Sequence, residues 1–256
     1  MFTRAIVRPP SPNFADGLTA SGLGAPDYLL ALRQHAAYCA ALAQCGLELT
    51  ELPPDARFPD ATFVEDTAVI TPRCAVITRP GAASRAGETA AVRTALARFF
   101  PQLQAIEAPG TVDGGDICEA ENHFLIGISE RTNEAGAQQL AAILTDAGHT
   151  ANFVDIRGVS GILHLKSGLT YLGDNRLAVW DTLAQHTALG GYEQIRVATG
   201  DEYAANCIRV NEYVLLAAGF PAFAIKLRGL GYRLIELEMS EFQKMDGGLS
   251  CLSLRF

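Results

Sequence analysis

Runs of short apolar stretches, broken by turn residues and followed by helical periodicity, recur along this chain. From Asp66 onward, Thr67 to Thr78 alternates like a hairpin with Pro72-Arg73 at its turn, and then come Ser84-Arg85 and Glu88. An apolar-periodic helix runs from there to about Phe100. From Asp116 the same order returns: a hairpin over Ile117 to Ile128 turning at Glu121-Asn122, then Glu130-Arg131, Glu134 and a helix that ends before Gly148. Two fainter units follow, one turning at Gly173-Asp-Asn175, the other at Asn211-Glu212 with a helix near Pro221 to Leu230. A fifth unit joins the C-terminal strand, near Ser250 to Phe256, to the N-terminal strand Thr3 to Val7, with its helix over Asp27 to Cys45 stopped by Gly46.

A repeat of this kind cannot bury its apolar face alone. Five strand-strand-helix-strand units closed on themselves would form a five-bladed α/β propeller, a single domain over residues 1–256, with no free sheet edge at the ring closure. An ordinary α/β sandwich is the other arrangement open to the same elements.

Composition narrows the function. The chain has 256 residues, 49% hydrophobic and 19% charged, which is a globular balance with enough length for a sizeable core. A net charge of −8, with no basic cluster against it, argues against nucleic acid and suits a small cation as partner. The N-terminal apolar run is too short for a signal sequence, and the longest apolar stretch, Val214 to Ile225, is interrupted by Gly219 and Pro221. No membrane association is expected, and the cytosol is the expected compartment. The six cysteines (39, 45, 74, 118, 207, 251) contain no CxxC pair, so neither a zinc ribbon nor a redox motif is indicated. Most of these thiols read as small core residues.

Two segments share the spelling Asp-Gly-Gly-x-x-Cys: Asp113 to Cys118, and Asp246 to Cys251. Their glycines suit close backbone approach or positive φ. Spacing does not separate the two cysteines as nucleophile. Of the five histidines, only His164 stands at the edge of an apolar strand, ahead of Lys166-Ser167-Gly168. A cysteine, a histidine and several carboxylates in one acidic chain suggest thiolate chemistry on a cationic substrate.

The segments Asp16-Gly-Leu18-Thr-Ala-Ser-Gly-Leu-Gly24, Phe58-Pro-Asp60-Ala-Thr-Phe63-Val-Glu65-Asp66 and Arg79-Pro-Gly-Ala-Ala-Ser-Arg85 resemble the dimethylarginine dimethylaminohydrolases, a family of guanidino-group-modifying enzymes. So do Arg131-Thr-Asn, His164-Leu-Lys, Ala204-Ala-Asn-Cys207 and Asp246-Gly-Gly-Leu-Ser-Cys251-Leu-Ser-Leu-Arg-Phe256, nearly end to end and in the same order.

The resemblance favours the propeller and implies a hydrolase that converts Nω-methylated arginine to citrulline and an amine. It makes Cys251 the nucleophile and His164 the general acid, then base, with Asp113 orienting His164 or holding the guanidinium. Asp66 and the Met245 carbonyl would receive the guanidinium nitrogens, and Glu65 would complete the acidic wall. Arg85 and Arg131 would fork onto the α-carboxylate, although each also has a glutamate one turn on, Glu88 or Glu134, with which to pair. Asp60 and the Leu18 carbonyl would take the α-ammonium. Gly17 to Gly24 would be a lid. The resemblance calls for no metal or organic cofactor, and leaves room for a homodimer through outer strands. An arginine deiminase releasing ammonia from free arginine, and a non-catalytic protein that binds arginine derivatives, are the alternative readings.

Overall fold

In the computed structural model, which describes residues 1–256, the hairpins expected from the pattern become the inner and middle strands of five three-stranded sheets. The N-terminal strand β1 (Arg4–Val7) is followed by α1 (Tyr28–Gln44) and β2 (Glu48–Glu51). Asp27 caps α1 by accepting a hydrogen bond from the Leu30 amide, and Gly46 takes a positive φ of 91° just beyond its end. The next unit is β3 (Ala68–Ile70), β4 (Ala75–Ile77), α2 (Thr89–Leu96) and β5 (Leu103–Ala105). It is followed by β6 (Ile117–Ala120), β7 (His123–Ile128), α3 (Glu134–Asp146) and β8 (Thr150–Asp155).

In the third unit a short helical turn, α4 (Leu165–Gly168), leads into β9 (Leu169–Gly173), β10 (Arg176–Trp180) and β11 (Glu193–Val197). The fourth contains β12 (Ile208–Val210), β13 (Tyr213–Ala217), α5 (Pro221–Gly229) and β14 (Arg233–Leu237). After the short α6 (Ser240–Gln243), the chain ends in β15 (Ser253–Arg255). The third unit departs from the pattern, because only a 3-10 turn, Thr187–Leu189, stands where the others have a helix. Its segment Asp181 to Tyr192 carries Gly190-Gly191 and lacks a helical apolar stripe.

Every sheet has one topology. The first two strands are antiparallel and the third returns parallel to the second, as in the registers Ala68↔Ile77 and Ala75↔Leu103. The last sheet is made from both termini: β15 pairs antiparallel with β1 (Ala5↔Arg255), and β1 pairs parallel with β2 (Ala5↔Leu49).

The core lies between blades rather than inside them. Val69 and Val76 of one sheet pack with Ile117, Phe124 and Ile126 of the next. Across the ring closure, Ile208, Val210 and Leu215 meet Ala5, Val7 and Tyr38. Five such clusters join successive blades, so removing one blade would expose two apolar faces.

The first strands β3, β6, β9, β12 and β15 surround an axial chamber of about 650 Å³. Each is entered through a single helical turn: Val64–Thr67, Gly114–Asp116, Leu165–Gly168, Glu202–Ala205 and Ser250–Leu252. Those turns gather at the other end of the axis, where the chemistry-bearing residues lie.

Candidate active site

A small cavity of about 30 Å³ sits among the turns, lined by Leu18, Asp60, Asp66, Arg85, Arg131, His164, Met245 and Cys251, with Phe63, Leu163, Asp246 and Gly247 completing it. Residues expected from six separate stretches of sequence therefore meet. The turn geometry explains how: Asp66 and Cys251 each stand two positions ahead of an inner strand, β3 and β15.

His164 is buried and its Nε2 hydrogen donates to Asp113 Oδ2 at 3.0 Å. Burial alone would lower the imidazole's pKa, but Asp66, Asp113 and Asp116 outweigh it and push it up to about 9. The ring is an imidazolium at neutral pH, a proton donor in waiting. Asp113 is itself anchored, its Oδ1 accepting from the Gly81 amide at 2.8 Å. It stands behind His164 and does not line the cavity, a position suited to orienting the ring rather than touching a guanidinium.

Gly115 is required by closeness. A Cβ there would sit 2.8 Å from the His164 ring and 2.9 Å from Asp66 Oδ1. In the second Asp-Gly-Gly segment, the glycines likewise press on Phe63 and Asn206, while the positive φ of 55° belongs to Asp246.

Cys251 is partly buried and accepts from the Gly248 amide with N···S 3.4 Å. Burial, with the negative charges of Glu65 and Asp66, pushes its thiol up to about 12. Cys251 is thus held as a thiol, and a cation arriving beside it would favour the thiolate. Cys118, the rival, lies in β6 among core side chains and faces the axial chamber. The other four histidines lie elsewhere: His35 in α1, His123 bonded to Thr150, His149 edge-on to Phe124, and His186 capping the Thr187–Leu189 turn.

Asp66 is held by Arg85 Nη1 at 2.5 Å and the Gly115 amide at 2.8 Å. Burial pushes its carboxyl up, but the charges of His164 and Arg85 with these bonds hold it down at about 2. Asp60 accepts from the Leu18 amide at 3.1 and 3.2 Å, and burial raises its pKa. The carbonyls of Leu18 and Met245 accept no hydrogen bond within the protein. Both remain open to a donor.

The two arginines differ. Arg85 is buried, with Nε and Nη2 on Glu88, Nη2 also on the Phe63 carbonyl, and Nη1 on Asp66. Its pairing with Glu88, one turn on, leaves it little to give a ligand. The Arg131 guanidinium has no protein partner, since Glu134 pairs with Arg157 instead, and it is free to bind an anion.

Glu65 stands apart from the cavity. Its Oε1 accepts from Lys166 Nζ at 2.6 Å and its Oε2 from Ser250 Oγ at 2.7 Å, and it faces the axial chamber. Neighbours in a 3-10 turn point about 120° apart, so Asp66 and Glu65 cannot both face one pocket. Asp116, given no role from sequence, bonds the Leu165 amide at 2.9 Å and Ser129 Oγ at 2.7 Å, bracing the residue after His164. The signal for it was there, because Asp116 opens its repeat as Asp66 opens the one before.

Asp66, Asp113 and His164 bring potential ligand atoms within 4.8 Å of one another. A metal there would have to displace the His164 proton that the same carboxylates stabilise, so the set fits an ion-paired acid better than a metal centre.

The segment Gly17–Gly24 folds across the mouth. Thr19 Oγ1 and Ser21 Oγ donate to the Lys244 carbonyl at 2.8 and 2.6 Å, and the Ala20 amide donates to Asp246 at 2.5 Å.

Residues 57–215 match the family model described as arginine deiminase. The chain is 49% identical to the N(G),N(G)-dimethylarginine dimethylaminohydrolase of Pseudomonas aeruginosa, over all of both chains. It is 38% identical to the enzyme of that name from Streptomyces coelicolor, over 98% of this chain and 96% of the relative. A crystal structure of the Pseudomonas aeruginosa protein, a cysteine-to-serine mutant complexed with citrulline, superposes with a TM-score of 0.97 at 48% identity, covering both chains fully. The N-terminal domain of a cyanobacterial arginine dihydrolase shares the fold, with a TM-score of 0.90 at 17% identity over 100% of this chain and 97% of that one. From the five-bladed ring to the turns that carry its thiol, imidazolium and carboxylates, this chain belongs to the dimethylarginine dimethylaminohydrolase family.

Proposed function

We propose that the protein hydrolyses Nω-methylated arginine, mono- or asymmetrically dimethylated, to citrulline and methylamine or dimethylamine. The observation that carries this reading is one cavity lined by a cysteine thiol, an imidazolium and a carboxylate held ionised. A guanidinium carbon is deactivated by resonance and calls for a strong nucleophile, and a thiolate is the strongest a side chain offers.

The guanidinium enters against Asp66 and the Met245 carbonyl, and its charge drives the proton of Cys251 off to solvent. The thiolate forms a C–S bond at the guanidino carbon. His164 gives its proton to the departing amine as the C–N bond breaks, leaving an S-alkylthiouronium. Neutral His164 then takes a proton from water, whose oxygen adds to the same carbon. The C–S bond breaks as the hydroxyl proton on the same carbon passes to the departing Cys251 sulfur, and citrulline leaves with the thiol restored and His164 again protonated. Arg131 takes the α-carboxylate, while Asp60 and the Leu18 carbonyl take the α-ammonium. A cavity of about 30 Å³ has the volume of roughly one water, so the Gly17–Gly24 segment must open to admit substrate and close to exclude bulk water. In this reading residues 1–256 act as one domain, and a reducing cytosol keeps Cys251 free.

Asymmetric dimethylarginine and plain arginine, assayed side by side for citrulline, test the reading. Turnover of the methylated substrate, with arginine at least tenfold slower, is expected. Turnover of arginine alone would make the protein a deiminase.

A further inference from the structure

Four of the five turns that enter the inner strands hold, or are headed by, a residue of the site: Asp66, the Asp113–Asp116 pair, His164 and Cys251. The fifth, Glu202–Ala205, lines no part of the catalytic cavity. The residue after it is Asn206, two positions ahead of β12, just as Asp66 precedes β3 and Cys251 precedes β15.

Asn206 is buried, and its amide oxygen and both of its N–H donors are hydrogen-bonded. Its Oδ1 accepts from the Ser250 amide at 3.0 Å. Its Nδ2 donates to Ser250 Oγ at 3.0 Å and to the Lys166 carbonyl at 2.8 Å. Ser250 precedes the nucleophile, and Lys166 lies in the turn headed by His164. The same two residues meet again through Glu65, which accepts from Ser250 Oγ at 2.7 Å and from Lys166 Nζ at 2.6 Å. Asn206 also packs so tightly on Gly248 that a Cβ there would overlap its amide. No other side chain bonds both the nucleophile's turn and the backbone of the histidine's turn.

We propose that Asn206 is a positioning residue for the reaction. It locks the Cys251 turn against the His164 turn, so that thiolate attack and proton delivery occur at one guanidino carbon. This rests on the hydrolase reading and adds to it a part for the fourth blade. An amide fits the task because it offers donor and acceptor together without adding charge beside the Glu65–Lys166 pair.

The test compares Asn206→Ala and Asn206→Asp with the unaltered protein, by steady-state kinetics on asymmetric dimethylarginine and by the pH dependence of iodoacetamide alkylation at Cys251. Misplacement of reacting groups by about 1 Å costs on the order of a hundredfold. The expected result is therefore a kcat ten- to a hundredfold lower, with KM within about threefold, and a displaced alkylation profile. Asn206→Asp keeps the side chain's volume and the acceptor for Ser250 but loses both donors; its added charge would itself shift the thiol, so it is read by the split between kcat and KM, and it carries the test where the alanine variant does not fold.

A lower melting temperature with kcat per folded molecule and alkylation profile unchanged would overturn the proposal, since the amide would then serve stability alone. If the unaltered protein turned over no methylarginine, the alkylation arm would still decide. A displaced profile would support the coupling of the two turns, and an unchanged one would overturn it.

Discussion

Asp113–Cys118 and Asp246–Cys251 start with the same three residues and reach their cysteines at the same spacing, but the backbone parts them at the first position. Asp113 is extended, with φ −101° and ψ 133°, and the helical turn begins at once over Gly114–Asp116. By residue 118 the chain is already inside β6, and the thiol packs among core side chains. Asp246 has φ 55°, which turns the chain aside and delays the helical turn to Ser250–Leu252. Cys251 is thereby held in the turn, where the side chain meets the cavity instead of a neighbouring blade. The carboxylates are parted too. Asp113 is fully buried behind His164, whereas Asp246 reaches outward to pin the Gly17–Gly24 segment. Position relative to the inner strand, more than spelling, decides which cysteine lines the cavity.

Swapping the cysteines one at a time should give the largest contrast. Cys251→Ser is expected to lose turnover by on the order of 10³-fold or more, because a serine there has no base to activate it. Cys118→Ser should leave kcat within about twofold and cost ~1–3 kcal/mol of stability, by burying a hydroxyl in an apolar cluster. Citrulline assays and thermal melts on both variants check this. Equal loss in both would dissolve the distinction.

The aspartates come next. Asp113→Asn removes one of the carboxylates that hold His164 up near about 9, so the alkaline limb of kcat should move to lower pH. Activity at neutral pH should fall by roughly 10²-fold, within the usual range for an impaired general acid. The same group sets a pH dependence of stability. A raised histidine contributes fully below its unfolded pKa of about 6.5, and that contribution is lost as pH rises through about 9. In Asp113→Asn the alkaline loss should be smaller and complete at a lower pH. Melting temperatures between pH 6 and 10 would show it; identical curves would detach Asp113 from His164.

The arginines sharpen the comparison from the substrate side. Arg131→Ala should raise KM by roughly 10–100-fold through loss of a charge-assisted pair, with little change in melting temperature, because the side chain has no protein partner. Arg85→Ala should instead destabilise by ~3–5 kcal/mol, leaving Asp66 and Glu88 buried without their cation. The smallest effect is expected for Asp246→Asn, which weakens the hold on the Ala20 amide and Thr19 hydroxyl. It should change kcat by less than about tenfold, through the opening and closing of the segment.

Much of the fold was legible because a blade writes the same hairpin and helix each time. The turn at Asp174-Asn175, with φ of 53° and 60°, uses residue types that favour that region. The third unit lost its helix where glycines replace the apolar stripe, and fainter periodicity was the only sign of it. Site residues on first-order motifs, Cys251, His164 and Asp66, could be named from their segments. Glu65 was harder, since adjacent residues in a tight turn look alike in sequence and face different chambers. Asp116 and Asn206 act through backbone amides and carbonyls of distant segments, and such partners leave no trace in spacing.

The proposed chemistry requires a covalent intermediate at Cys251. Quenching a reaction with asymmetric dimethylarginine in acid within its first turnover, then mapping the proteolysed protein by mass spectrometry, would test it directly. The expected result is an amidino adduct on the peptide carrying Cys251, absent from that carrying Cys118 and from the Cys251→Ser protein. An adduct on Cys118, or turnover with no adduct on any thiol, would contradict it.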